Sequence, residues 1–545
     1  MIRRFAILAT CITLIACSPL ARPAETTPIA ESPASTLAAT PVPLRAWVHA
    51  SIPQSFSQPL KSALSVAGYE FTDYQDDASI RIAIEPMPNA ILASTIILAL
   101  VAPFPTTVDD VSWSDLRSYR QGTAVSLPGF DAPPRFVVSD DLAGSVELIL
   151  GQDRRTFATT AGSLIDEAWN NRPTISIVPF DQLDPRWKVL SIDGQSPLDK
   201  HFDVDSYPLV IRVSALASEE SRDQALRLLQ PVWQTTNRDP SKITVVILTG
   251  TTALTRSTAW FIENKGADFP SLNIRPFFAD KDILHVSNEV SFTPKCPPPD
   301  LNATEFCSKP EYFDVLKQID VDIVELTGNH NNDYSIRPTF YTLDMYDQAG
   351  VPYYGGGRTV DEAKQPRTLV APDGTRIAFV GCNSAGPFKA FATTETPGAA
   401  PCDDWAWIRQ TIADLKSSGQ ADVVIATVQY HELQSYSPEK QQVPDFQALA
   451  DAGADIVSGS QAHVPQGFAI TPTSFIHYGV GNLFFDQMDF IENRQMFADK
   501  YIFYKGRLIS VMLFTGIMED YSQPRPMTPE ERADFLKLIF EKSGW

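Results

Sequence analysis

A chain of 545 residues is longer than one ordinary core, which predicts two domains. Its 44% hydrophobic, 10% aromatic and 20% charged residues are those of a folded protein. A formal charge of −21, with no Lys/Arg cluster beyond the first four residues, argues against a nucleic-acid partner, because binding phosphates needs a basic face.

Arg3 and Arg4 precede an apolar run, Phe5 to Ala16. At roughly 12 residues it is too short for the roughly 30 Å hydrocarbon core and reads as a signal peptide over residues 1–17. The run closes on Leu14-Ile15-Ala16-Cys17, which resembles the bacterial lipobox. That resemblance implies a lipid on Cys17 and an exported protein anchored at the bacterial cell membrane on its extracytoplasmic side. Residues 18–44 follow as a Pro/Ala/Ser/Thr tether unable to bury a core, expected to be disordered. Beyond the tether stand Cys296, Cys307, Cys382 and Cys402. In an oxidising compartment the short spacings suggest Cys296–Cys307 and Cys382–Cys402 as local disulfides. A zinc site is the alternative, but neither pair is CxxC and no His lies close in sequence.

Residues 45–238 alternate short apolar runs with helical patterns: "LRAWVHASIP" and "ASIRIAIEP" predict strands, and "EESRDQALRLLQPVWQ" an amphipathic helix. The polar, proline-containing "TTNRDPSK", residues 235–242, predicts the boundary. "SWSDLRSYRQG" and the segment 176–213 resemble the substrate-binding proteins of the phosphate-transporter kind. The resemblance implies two α/β lobes around a ligand cleft and does not name a ligand; a structural version of that fold is the alternative to a working receptor.

From Lys242 the pattern becomes regular. "KITVVILTG", "VDIVELTG", "RIAFVGC", "DVVIATVQY", "DIVSGS" and "FIHYGVGN" predict buried strands, with helical stretches such as "RPTFYTLDMYDQAG" and "DDWAWIRQTIADLKSSG" between them. Polar residues gather at the strand ends, the edge where α/β sheets build sites. They are Thr251 and Thr252; Asn288 and Glu289; Asn329, His330 and Asp333; Gln429, His431 and Glu432; Gln461 and His463; Asn482 and Asp486. For the loop at 329–333 the plainer alternative is a turn capping a helix near Ser335, and for His463 a hydrogen-bonded structural imidazole.

This order of motifs over about 243–490 resembles the bacterial CapA family, the capsule and poly-γ-glutamate synthesis proteins, whose fold is that of the calcineurin-like metallophosphatases. The implied fold class is α/β: a two-lobed substrate-binding-protein-like domain at 45–238, then a metallophosphatase-type α/β sandwich at 242–520 and a tail at 521–545. In the parent fold, Asn and His at this loop serve beside two cations roughly 4 Å apart. The chain departs from that pattern. Gly250-Thr251 replaces Gly-Asp, Gln429 stands at a His position, and the segment Gly459-Ser460-Gln461-Ala462-His463 keeps one imidazole of three. His431 or Glu432 is the candidate substitute ligand.

The resemblance then implies His330 and Asp333 as the catalytic pair. Thr251, Asn288, Glu289, Asn329, Gln461, His463 and Asn482 are expected to bind substrate. Glu289, Asn329 and His463 are left as ligands for no metal or for one divalent Mn, Fe or Zn ion. The expected role is a membrane-anchored protein of capsule or extracellular polymer synthesis, binding an acidic polymer, glycan or peptide alongside capsule-synthesis partners. The alternatives are a metal-dependent phosphoesterase and a solute receptor acting through residues 45–238.

Overall fold

The N-terminal half is organised by one long strand, Leu92–Pro103. Its Leu92–Ile97 stretch pairs antiparallel with Val210–Ala217, and Leu98–Val101 pairs antiparallel with Thr174–Pro179. Leu98 to Ala102 are fully buried, so this apolar run is covered on both faces. Arg45–Val48 and Ile80–Ile84 extend the sheet on one side, and Arg135–Ser139 and Thr156–Thr159 on the other. Two lobes, as expected, thus form this half, and they share the Leu92–Pro103 strand. The turn that follows Arg45–Val48 and the Ala143–Leu150 helix that follows Arg135–Ser139, one per lobe, touch: the Ser145 hydroxyl donates to the Ser51 carbonyl, and a Cβ on Gly144 would lie 3.1 Å from Ser51 Oγ.

The C-terminal half is a sandwich of two sheets. One has the order Tyr353–Tyr354, Ile323–Glu325, Ile283–Asn288, Ile243–Thr252, Gln495–Tyr504, Arg507–Glu519, Gln523–Pro526, with Asn482–Phe484 beside the end of Ile243–Thr252. The other runs Arg367–Val370, Arg376–Asn383, Val423–Gln429, Ile456–Ser460, Phe475–His477, Phe468–Ile470. Tyr354 and Tyr501 of the first and Phe379, Ile425 and Phe475 of the second share one buried cluster. Within it, the Tyr354 hydroxyl joins His285 Nε2 and Thr427 Oγ1, each at 2.9 Å. The molecule is therefore of the mixed α/β class in two parts; five of the six strands expected after Lys242 are present within a few residues of their predicted bounds, and the sixth, 475–482, is divided into Phe475–His477 and Asn482–Phe484 in different sheets.

The structure is a computed structural model that describes residues 44–152 and 156–545. The expected signal peptide, Cys17 and residues 18–43 of the tether lie outside the described residues. Among the described residues, no helix is long and apolar enough to cross a membrane.

Leu44 to Trp545 cluster as one unit. The polar stretch 235–242 is tightly held: Asn237 accepts from Ile97 N at 2.8 Å and donates to its carbonyl at 2.9 Å, and the buried Arg238 guanidinium lies over Phe202. Residues 521–545, expected as a tail, supply the Gln523–Pro526 strand and the Pro529–Lys542 helix. That helix starts on a capping box between Thr528 and Glu531, and it seats Phe540 against Phe104 of the N-terminal half.

Both expected disulfides are present, Cys296–Cys307 and Cys382–Cys402. Each closes a loop that reaches the rim described below. Cys296→Ser should lower the stability of the full chain by about 3 kcal/mol through the unfolded chain's regained freedom. Chemical denaturation checks this, and an unchanged midpoint with and without reductant contradicts it.

Candidate functional site

The parallel strands of both sandwich sheets end at a common rim, and one side chain ties their loops together. Gln429, last residue of its strand, donates from Nε2 to Asn329 Oδ1 at 3.1 Å and to Gln461 Oε1, while its Oε1 accepts from Asn383 Nδ2 at 3.2 Å. Asn383 also donates to the Thr327 carbonyl at 2.7 Å. Four loops from two sheets are thereby held in one amide network.

Close backbone contacts complete the convergence. A Cβ on Gly328 would lie 2.3 Å from Glu289 Cα, and one on Gly250 would lie 2.0 Å from the Gly481 carbonyl oxygen. Only glycine lets these loops approach so closely.

Glu289 occupies the centre. Its carboxylate is buried, and neither oxygen has a hydrogen-bond partner in the protein. Burial raises its pKa above the ordinary carboxylate range; His463, His330 and Arg256 pull it down, and Glu432 pushes it up. The charges of those four side chains act on this one acid.

His330 is oriented by Asp333, with Nδ1 and Oδ2 2.5 Å apart. Asp333 accepts also from Phe306 N at 2.9 Å and pairs with Lys389 at 3.0 Å. Burial disfavours the imidazolium, yet the Asp333 hydrogen bond and the Glu289 and Asp333 charges raise the His330 pKa. Burial likewise opposes the Asp333 charge, and its bonds to His330, Phe306 and Lys389 bring its pKa below the ordinary value.

His463 is held through Nδ1 by Asn482 Oδ1 at 2.8 Å. The Asn482 amide donates to the Asn493 carbonyl at 3.1 Å and faces the His463 carbonyl and Gln487 Oε1. The oxygen of Asn482 thus faces the imidazole, so His463 Nδ1 is the nitrogen that donates to it. Gln461 and His463 both have positive φ, 79° and 55°, conformations that side chains other than glycine rarely adopt and that cluster at functional sites.

Several expected residues play a supporting part. Thr251 is buried and pairs in register with Asn482. Asn288 is not gathered with the others: its amide donates to the Val290 carbonyl at 2.9 Å and to the Tyr346 hydroxyl at 3.2 Å, towards the Ile336–Ala349 helix. In the dense loop, Asn331 donates to the Leu326 carbonyl and Asn332 to the Lys389 and Pro397 carbonyls, each at 2.9 Å, so these two brace backbone. His431 turns to Glu439, with 3.0 Å between Nδ1 and Oε2.

Arg256 is the residue that motif reading missed. Its guanidinium holds Asp486 Oδ1 and lies 4.9 Å from the centroids of both Phe306 and Phe485. Phe306 packs on His330 at 4.2 Å and Phe485 on His463 at 5.2 Å, forming a chain of rings and cation around the rim. Phe306 comes from the Cys296–Cys307 loop, far from any strand end, and no spacing signalled it.

The site does not suit the cation that the parent fold implies. The Asn329 oxygen already accepts from Gln429, a threonine stands where a carboxylate is needed, and a guanidinium lies near the central acid. Among the described residues, no three His, Cys, Asp or Glu side chains are grouped to hold a metal.

Residues 245–487 match the family model described as bacterial capsule synthesis protein PGA_cap. The chain is 25% identical over 285 residues to the capsule biosynthesis protein CapA of Bacillus anthracis, covering 51% of this chain and 67% of that protein. It is 29% identical over 229 residues to the PGA biosynthesis protein CapA of Bacillus subtilis (strain 168), covering 41% and 59%. Among solved structures, an ABC-type phosphate transport receptor from Vibrio cholerae aligns with 34% of this chain and 92% of its own, at 11% identity and TM-score 0.29. A 5'-nucleotidase from Candida albicans SC5314 aligns with 55% and 56%, at 12% and 0.31. Likenesses of that size bear on no chemistry.

The His330–Asp333 pair has a definite pH signature. A raised imidazole pKa stabilises the fold fully below the unfolded value of 6.5 and loses that contribution as pH rises through the folded value. The depressed Asp333 pKa contributes above 3.8 and is lost as pH falls through its lower folded value. Asp333→Asn should therefore lower the His330 pKa and weaken the fold most on the acid side of neutrality. Histidine NMR titration checks this, and an unmoved His330 resonance contradicts it.

Proposed function

Taking residues 245–487 as a domain of the bacterial capsule synthesis family, we propose that this protein acts in assembling a capsule or another extracellular polymer, poly-γ-glutamate among the candidates. It binds the polymer chain at the strand-end rim, with the ancestral metal site reduced to a polar binding centre. The lipobox at Cys17 supports tethering at the outer face of the cell membrane, within reach of capsule-synthesis partners.

One observation carries this reading: the buried, unpartnered carboxyl of Glu289. A buried polar group with no partner costs about 1 to 3 kcal/mol, which a ligand hydroxyl or amide N–H removes by bonding to it. The charges of His330 and His463 act on that carboxyl, and Gly328, two residues before His330, packs against the Glu289 backbone. Arg256 and the Gln429 amide network support binding without a cation.

A hydrolase is the second reading, favoured by the His330–Asp333 pair. An imidazole with a raised pKa, oriented by a carboxylate, is equipped to donate a proton to a leaving oxygen. In that case Asp333 is a positioning residue and His330 the acid.

Cells lacking the protein, complemented with Glu289→Gln, His330→Ala or His463→Ala, should show surface polymer reduced about tenfold or more at unchanged protein level. Full surface polymer in all three overturns the binding reading. Metal analysis of the purified chain should find Mn, Fe and Zn well below one per molecule. Stoichiometric metal with phosphodiester cleavage lost in His330→Ala establishes the hydrolase instead.

A further inference from the structure

A groove of about 650 Å³ opens beside the rim, and Arg256 and Asp486 form the wall it shares with the site. Trp260, Phe261 and Tyr521 supply its aromatic surface, and Asn302, Gln487 and Asp489 its polar edge.

Tyr521 is placed against its own backbone preference. The Arg507–Glu519 and Gln523–Pro526 strands are joined by a tight turn in which Ser522 N donates to the Glu519 carbonyl at 3.1 Å. Both central residues, Asp520 and Tyr521, have positive φ, 45° and 59°. Such a turn favours glycine at its second central position. Here that position carries a large ring that remains 45% exposed, as does Trp260. Nothing in the hydrophobic core accounts for it. The turn is fixed by Thr258 Oγ1, which donates to the Tyr521 carbonyl at 2.9 Å. The rings of Phe261 and Tyr521 lie within 19° of parallel, and Trp260 meets Phe261 edge-on at 5.0 Å.

The charge of the groove selects among occupants. Its one guanidinium is already engaged by Asp486, and Asp489 adds a second carboxylate. A polyanion would meet net repulsion there. A pyranose ring meets none: its apolar C–H face covers an exposed aromatic ring, and its hydroxyls donate to carboxylates and exchange bonds with amides.

We propose that this groove binds consecutive sugar rings of an uncharged polysaccharide and directs that chain towards Glu289. The inference rests on the reading of the rim as a polymer-binding cleft and narrows the polymer to a neutral glycan.

The test uses the full chain, with tryptophan fluorescence and calorimetric titration against neutral hexasaccharides (β-1,4-glucan, β-1,4-N-acetylglucosaminan, α-1,4-glucan, β-1,4-mannan) and against poly-γ-glutamate. At least one hexasaccharide should bind, and Trp260→Ala and Tyr521→Gly should each weaken that binding about tenfold or more. Tyr521→Gly gives the turn its preferred residue, so its melting temperature should be unchanged or higher, which separates lost binding from lost folding. The inference is overturned if no hexasaccharide binds at millimolar concentration, or if both variants bind undiminished. Binding of poly-γ-glutamate alone overturns it while leaving the polymer cleft intact. Binding of neither, together with full surface polymer in the rim variants, removes both.

Discussion

The Gln429 amide is the constraint on which the rim depends. It uses both its donating and its accepting atoms on loops from separate strands, joining Asn329, Gln461 and Asn383 across the two sheets of the sandwich. A neutral imidazole offers one donor and one acceptor on separate ring nitrogens, where the amide offers two N–H donors beside an accepting oxygen. Gln429, which stands where the resemblance expects a histidine, thus builds an amide lattice. Both disulfide loops buttress that lattice. Cys382 precedes Asn383, and the Cys296–Cys307 loop delivers Phe306 to His330 and its N–H to Asp333.

Around that lattice the electrostatics follow simply. Glu289 is buried and lacks hydrogen-bond partners, so its neutral form is favoured, while two imidazoles and a guanidinium draw it back towards ionisation. Such balanced groups respond to what binds beside them. Arg256, clasped by Asp486 between Phe306 and Phe485, is a fixed positive charge beside them.

Much of this was legible in the sequence. Parallel strands buried on both faces read as continuous apolar runs, so "KITVVILTG" and "DVVIATVQY" lie close to their observed strands, and the polar residues just beyond them lie at the rim. Facing was harder to read. Asn288 and Glu289 are adjacent, yet the first bonds Tyr346 of a covering helix and the second lies among the site imidazoles, because successive residues of an extended strand point to opposite sides. Arg256 escaped notice because it belongs to a helix start with φ of 47° and not to a strand end. The polar stretch 235–242 read as a domain boundary, and within it Asn237 finds a backbone partner in Ile97 and is buried. The N-terminal half has two lobes, as expected, and the Ser51–Ser145 contact joins them.

The claim beneath all of this is that His330 and His463, far apart in sequence, act on one buried acid. Infrared titration of the carboxyl band, assigned by its loss in Glu289→Gln, measures it directly. The account predicts titration above the ordinary value of 4.5, and a further upward shift when both histidines are replaced by alanine. Titration at the ordinary value, or a band indifferent to both replacements, contradicts it.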